Sequence, residues 1–135
     1  MEPKEYLEQL EVINKKIELN LEEVTRIRSL AEKCTSVLNP IKVQTSMSND
    51  NMLNSVMRLA ELERETDNFI DRLVDLKREI LPKINKVDNL VYYEILFKRY
   101  VEFKSLVQIA SEKNYSYRQV IRTHNRALEY FKKYM

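Results

Sequence analysis

Side chains able to read nucleic-acid bases lie close together near the end of the chain, in the stretch NYSYRQVIRTHNRAL over residues 114–128. An arginine guanidinium can bond a guanine at two points in the major groove, and an exposed aliphatic side chain can contact the methyl group of thymine. The spacing of these side chains is that of one exposed helix face. This pattern predicts a base-reading face made of Tyr117, Arg118, Ile121, Arg122, Asn125 and Arg126.

Most charged helix faces are simply solvated, so the arginines alone do not indicate a binding surface. The distribution of net charge along the chain is the further observation. Residues 83–135 carry 11 Lys and Arg against 5 Asp and Glu, a net charge of +6, whereas residues 1–82 carry 12 against 16, a net charge of −4. This asymmetry favours a polyanionic partner for the C-terminal part only. The side chains predicted to contact phosphates are those of Lys104, Ser116, Gln119, Lys132 and Lys133.

No residues have the spacing of a catalytic or metal-binding site. Cys34 is the only cysteine and His124 the only histidine, and they are far apart in the sequence. We expect Cys34 to be a core thiol and His124 to be a surface side chain near a phosphate. The pattern also offers no nucleophile with a base, no glycine-rich loop and no paired carboxylates beside an apolar pocket, so we expect no enzyme activity, metal, cofactor or small-molecule substrate.

The composition predicts an all-α protein. The chain has no glycine and 3 prolines, and it is rich in residues that are good or tolerable in helices. Its start, MEPKEYLEQL, is acidic where a secretory signal would be basic and then apolar, and no run reaches the roughly 18 apolar residues of a membrane span. We therefore expect a cytoplasmic protein without a membrane partner.

Apolar residues at alternating steps of four and three predict a long antiparallel helical hairpin, a coiled coil with helices at about 3–35 and 51–81 joined by a loop at 36–50. The seam of the first helix consists of Tyr6, Leu10, Ile13, Ile17, Asn20, Val24, Ile27, Ala31 and Cys34. The seam of the second consists of Met52, Ser55, Leu59, Leu62, Thr66, Phe69, Leu73, Leu76 and Ile80.

One antiparallel register of these seams brings their central polar members, Asn20 and Thr66, together. The same register pairs Cys34 with Met52, Ile27 with Leu59, Ile17 with Phe69 and Tyr6 with Ile80. A shift by one heptad would leave the Asn20 amide among apolar groups, at a cost of about 1 to 3 kcal/mol. The polar pair therefore favours this register, and the alternative is a solvated Asn20 at a loose point of the seam.

The C-terminal residues predict a three-helix module with a helix-turn-helix at 90–135. Pro82 predicts that the second helix kinks or stops there and that residues 82–89 form a junction, followed by a short amphipathic helix over 90–101. Ser105 with Gln108, and Ser116 with Gln119, match the capping box that begins a helix, and Asn114 suits a turn that needs positive φ. The recognition helix is expected at 116–132. The residues expected to face inward are Leu106, Ile109, Ala110, Tyr115, Val120, Ala127, Leu128 and Phe131.

This segment resembles region 4 of the primary-type bacterial sigma factors, in which a helix ending in R-Y is followed by L-x-x-I-A/G, a turn, and S-x-x-x-V with A-L further along. The matching residues are Arg99, Tyr100, Leu106, Ile109, Ala110, Ser116, Val120, Ala127 and Leu128. Sigma factors carry an acidic residue at the position of Arg118 and an arginine at that of Ile121. These departures imply a dedicated operator or promoter rather than the ordinary −35 element.

Nearly the whole chain also resembles a family of small phage and prophage proteins related to late-operon transcriptional activators. The similar stretches are KEYLEQL, VQTS, DRLVDLKREI, LFKRY, NYSYRQV and RTH-x-RAL. The resemblance implies a regulator of phage genes in the cytoplasm of a bacterial host, with double-stranded DNA and host RNA polymerase as partners.

Two other functions stay open from the sequence. Small terminase subunits also join a helix-turn-helix to a helical hairpin, although the DNA-binding part commonly comes first in them. An adaptor that binds RNA polymerase without touching DNA is the other alternative. Either the C-terminal module or a second copy of the hairpin, forming a homodimer, could cover the apolar residues outside the seam.

Overall fold

The computed structural model describes the backbone of residues 1–38 and 45–135 and the side chains of residues 1–33 and 51–135. Every secondary-structure element within these ranges is helical, so the all-α prediction is confirmed. A π-helical turn at Phe97–Val101 continues the third helix, and a 3-10 turn at Lys132–Tyr134 follows the fifth. The α-helices are α1 Pro3–Leu38, α2 Thr45–Asn85, α3 Leu90–Leu96, α4 Leu106–Lys113 and α5 Tyr117–Phe131.

The two long helices extend beyond their predicted ends. The predicted stop at Pro82 is wrong, because α2 continues to Asn85. Proline removes one hydrogen bond from a helix, and here fully buried Ile80 and Ile84 anchor the helix on both sides of Pro82. Both α1 and α2 also enter the predicted loop at 36–50. The rest of that loop lies outside the described residues, as does the side chain of Cys34 with its predicted pairing to Met52.

The chain forms two compact units. One combines Met1–Ile13 with Arg72–Met135, and the other is Asn14–Asp71. The first unit therefore holds the C-terminal helices together with the start of α1 and the end of α2.

The core of the first unit is built from residues that are distant in sequence. Leu7 and Leu10 of α1 pack with Ile80 and Ile84 of α2, and Phe131 of α5 joins the same cluster. All five side chains are fully buried. Since burial of a leucine or isoleucine side chain contributes about 1.5 to 3 kcal/mol, the N-terminal residues are a substantial part of the core that holds α5.

Tyr6 links the start of α1 to the end of α2 and to α5 within this unit. Its hydroxyl donates to Glu79 over 3.1 Å and accepts from Lys83 Nζ over 2.6 Å. Its ring stacks on Phe131, with 6.2 Å between the ring centroids. The position of α5 therefore depends on residues at the opposite end of the chain.

In the second unit, α1 and α2 contact each other at no fewer than two points, and the later residue of α1 meets the earlier residue of α2. Arg28 Nη2 forms an ion pair with Glu63 at 2.9 Å, and Lys16 Nζ lies 5.6 Å from the centroid of the Phe69 ring. These contacts require the two helices to run in opposite directions in this unit. The buried side chains include Ile17, Val24, Leu62 and Thr66, which all belong to the predicted seams.

The predicted polar pair of Asn20 and Thr66 is not joined by a hydrogen bond. Thr66 Oγ1 instead donates to the carbonyl of Leu62 over 2.6 Å, in its own helix. Asn20 Nδ2 is buried and has no hydrogen-bond partner among the described residues. Threonine in a helix can bond the carbonyl four residues earlier, and here that local bond takes the hydroxyl that Asn20 was expected to meet.

Candidate nucleic-acid interface

Helix α4 begins with a complete capping box, as the sequence predicted. Ser105 Oγ accepts a hydrogen bond from the backbone N–H of Gln108 over 3.1 Å. Gln108 Oε1 accepts one from the backbone N–H of Ser105 over 2.9 Å. Two backbone donors that a helix N-terminus leaves unpaired are thereby satisfied, and the start of α4 is fixed by local chemistry.

The turn after α4 depends on Asn114, which confirms the prediction for this position. Asn114 has φ 57° and ψ 36°, in the left-handed region that asparagine tolerates better than most residues. The next N–H, that of Tyr115, bonds back to the carbonyl of Ala110 over 3.0 Å. The Tyr115 side chain packs against the cluster of Ile95, Ile109, Ala110 and Val120, so the turn is held by backbone geometry and by packing.

Helix α5 begins with only half of the predicted capping box. Ser116 Oγ accepts from the backbone N–H of Gln119 over 3.1 Å. The Gln119 side chain does not return a bond to the backbone of Ser116, so the prediction of a second complete box is wrong. One consequence is that the Gln119 amide, which is exposed, can contact a ligand without breaking a cap.

The inward face of α5 contains the residues that the sequence predicted and one that it did not. Val120, Ala127, Leu128 and Phe131 are buried, as expected. His124 is only 6% exposed, so the prediction of a surface side chain near a phosphate is wrong. Its position four residues after Val120 places it on the buried stripe of the helix.

His124 is held by Tyr100. The Tyr100 hydroxyl and His124 Nε2 are 2.7 Å apart, and the two rings stack with centroids 5.7 Å apart. Burial, reinforced by the positive charges of Arg99 and Lys4, lowers the pKa of His124 to about 4. Burial also raises the pKa of the Tyr100 hydroxyl. The pair is therefore neutral at physiological pH, and it joins α5 to the π-helical turn that contains Tyr100.

That turn leads into α4 through a second residue with positive φ. Phe103 has φ 61°, an uncommon value for a bulky residue, and its side chain packs against the main core. The next N–H, that of Lys104, bonds the carbonyl of Lys98 over 3.0 Å. The sequence contained no sign of this backbone conformation, since neither glycine nor asparagine stands at the position.

The outward face of α5 presents most of the predicted base-reading residues to solvent. Tyr117 is 52% exposed. Ile121 is half-buried and thus lies at the flank of this face. The exposed side chains of the predicted set are those of Tyr117, Arg118, Arg122, Asn125 and Arg126. The structure therefore brings these side chains together on one surface of a single helix.

Between α3 and the turn before α5, four of the described basic side chains are paired with carboxylates. Glu112 binds Lys98 at 2.8 Å and Lys104 at 2.7 Å, and Lys104 also meets Glu102 at 3.2 Å. The hydrogen bonds from Lys104 and Lys98 lower the pKa of Glu112 to about 2. Two further pairs in this unit are Arg99 with Glu11, at 3.0 Å, and Lys113 with Glu94.

The arginines of α5, unlike these basic residues, are not paired with carboxylates in the described ranges. In the part of the chain that the structure describes, no carboxylate lies within ion-pair distance of Arg118, Arg122 or Arg126. These three arginines therefore have no ion-pair partner among the described side chains.

The residues predicted to contact phosphates have different surroundings. Lys104 is engaged by two carboxylates. Lys133 Nζ lies 3.9 Å from the centroid of the Tyr130 ring, while Lys132 is exposed. Ser116 Oγ accepts the capping bond and keeps its own hydrogen for a donor role. Their contacts with phosphate stay predictions, and Lys104 would have to leave both ion pairs to make one.

The described residues contain neither a metal-binding cluster nor a membrane-spanning helix. No group of three or more His, Cys, Asp and Glu side chains among them could hold a metal ion. None of the helices in the described ranges combines the length and the apolar character needed to cross a bilayer. The exposed face of α5 is thus the strongest candidate for a functional surface.

Comparisons with known proteins give no further assignment. No family model matches the chain, no curated protein is similar to it, and no solved structure matches its fold.

Proposed function

We propose that the protein is a sequence-specific DNA-binding transcriptional regulator. In this proposal α4, the turn at Asn114 and α5 form a helix-turn-helix, and α5 enters the major groove of double-stranded DNA. The observation that carries the proposal is the set of exposed arginines on α5, Arg118, Arg122 and Arg126, which have no carboxylate partner among the described residues.

The absence of ion pairs matters energetically. An arginine that already binds a carboxylate must give up that charge-assisted bond before it can bind DNA. Lys98, Lys104 and Lys113 are in this situation, whereas the arginines of α5 lose only water. The contrast within one compact unit supports α5 as the surface for a polyanion.

Local rigidity supports the same proposal. Ser116 caps the start of α5, and the Tyr100–His124 pair fastens its inward face. Recognition helices contact bases with residues of their first turns, so these turns need a fixed orientation. The capped start and the buried stripe of α5 supply it.

The long helices have a separate role in this proposal. We propose that α1 and α2 form an antiparallel coiled-coil hairpin that can hold two copies of the chain together, so that two α5 helices reach two half-sites. The resemblance to phage late-operon activators and to sigma region 4 adds the biological context, which is regulation of phage or prophage genes in a bacterial host, with RNA polymerase as a further partner.

The test is DNA binding by the full chain and by a double variant, Arg118→Ala with Arg122→Ala. The matched control, Arg64→Ala with Arg72→Ala, removes the same charge from exposed positions of α2. Binding to genomic fragments is measured by fluorescence anisotropy at physiological salt. We expect the α5 variant to lose specific binding and the α2 variant to keep it. Equal affinities for all three proteins would refute the proposal.

A further inference from the structure

The arginines of α5 are not equivalent in their position on the helix. An α-helix turns about 100° per residue, so positions two before and two after a residue lie on the opposite side of the helix. Val120 and His124 are both buried, which places Arg118, Arg122 and Arg126 on the side of α5 away from the core. Of these three, only Arg118 and Arg122 lie in the first two turns of α5, which begins at Tyr117.

This position favours contact with bases over contact with phosphates. When a helix docks in the major groove, the side facing away from its own core points to the floor of the groove, where the base edges lie. Residues on the flanks point toward the phosphates that line the rims. Arg118 and Arg122 therefore face base edges in the proposed docking.

The guanidinium group then selects the base. Guanine presents two acceptors, N7 and O6, which match the two parallel N–H donors of arginine, whereas adenine presents one acceptor beside a donor. No acidic side chain of the described chain competes for either arginine. Both guanidinium groups are thus free to make two bonds to a base.

We infer that Arg118 and Arg122 each bind a guanine, so that the target of α5 contains two guanines separated by a fixed interval. This inference rests on the proposed function. Four residues of helix rise about 6 Å and base pairs are stacked about 3.4 Å apart, which sets the two guanines about two base pairs apart. Arg126, a full turn later, lies closer to the helix end and binds the backbone at the rim of the groove.

Alanine substitutions remove the donors that read a base, whereas lysine could still donate to guanine N7 and O6. We expect Arg118→Ala and Arg122→Ala each to reduce the preference for guanine at one position by about 5-fold to 150-fold. The salt dependence of binding should stay unchanged, since that dependence counts neutralised phosphates. The matched control is Arg64→Ala, at an exposed position of α2, which should change neither quantity.

The experiment begins with selection from a random-sequence duplex library by the full chain. The selected duplex is then remade with 7-deazaguanine at each guanine in turn, which removes the N7 acceptor and keeps the base pair. We expect two sensitive guanines, one of which becomes insensitive in Arg118→Ala and the other in Arg122→Ala. Circular dichroism of each variant checks that the helices are intact.

The possible failures are distinguishable. Selection of a motif without guanines, or a motif whose guanines all tolerate 7-deazaguanine, would overturn the inference and leave sequence-specific DNA binding in place. Sensitivity that persists in both alanine variants would also overturn it, because other side chains would then read the guanines. Enrichment of no sequence at all would refute the proposed function and the inference together.

Discussion

Replacing Leu10 with alanine tests whether the start of α1 is part of the core that holds α5. Leu10 is fully buried, and it shares its cluster with Phe131 and Ala127 of α5. A leucine-to-alanine change in such a site costs about 2 to 5 kcal/mol, because apolar burial is lost and a cavity is left. Against a typical stability of about 5 to 15 kcal/mol, this is a large loss for a residue more than a hundred positions from α5.

The assay is hydrogen exchange of the α5 backbone amides, combined with urea unfolding. A loss of about 3 kcal/mol corresponds to an increase of roughly 100-fold in the exchange rate of amides that open with the core. Leu21→Ala is the control, since Leu21 is 52% exposed and exposed substitutions usually change stability by less than about 0.5 kcal/mol. If Leu10→Ala changed α5 exchange no more than Leu21→Ala, the inclusion of α1 in this core would be refuted.

Three further predictions concern stability. His124 is neutral in the folded protein, with its pKa lowered to about 4, whereas the unfolded chain takes up the proton at the ordinary value near 6.5. The free energy of unfolding should therefore fall by up to roughly 3 kcal/mol as pH drops from about 6.5 to 4. In His124→Asn, urea unfolding at both pH values should not show this pH-dependent loss. A variant with the same pH dependence as the natural chain would contradict the assignment to His124. Asn114→Ala should lower the free energy of unfolding by about 1 kcal/mol, because the left-handed conformation is unfavourable for alanine, whereas Asn114→Gly should not lower it. Equal thermal midpoints for the two variants would exclude this explanation. Asn20→Leu should raise the free energy of unfolding by about 1 to 3 kcal/mol, since it removes a buried donor without a partner, and a loss of stability would show that the amide is satisfied.

Features encoded locally could be predicted from the sequence. The capping box at Ser105 and the left-handed turn at Asn114 depend on residues within a few positions of each other, and both appear as expected. The buried stripe of α5 follows from helical periodicity in the same way. Local signals also have limits, as Gln119 shows, because it has the right spacing for a capping box and does not complete one.

Features that depend on distant contacts could not be predicted. His124 was misplaced because its partner Tyr100 lies 24 residues earlier and no local pattern joins them. Leu10 fits a hairpin seam by its spacing, and spacing cannot show that the same seam meets α5. Pro82 ends helices by its own chemistry, but packing of the residues around it outweighs that tendency here.

The most direct test of the central claim is selection of bound fragments from phage and bacterial genomic DNA. The full chain and the Arg118→Ala, Arg122→Ala variant are compared at physiological salt. We predict that the full chain enriches a small set of fragments sharing one short motif and that the variant does not. Enrichment of the same fragments by both proteins, or of none by either, would contradict the proposal that α5 reads DNA.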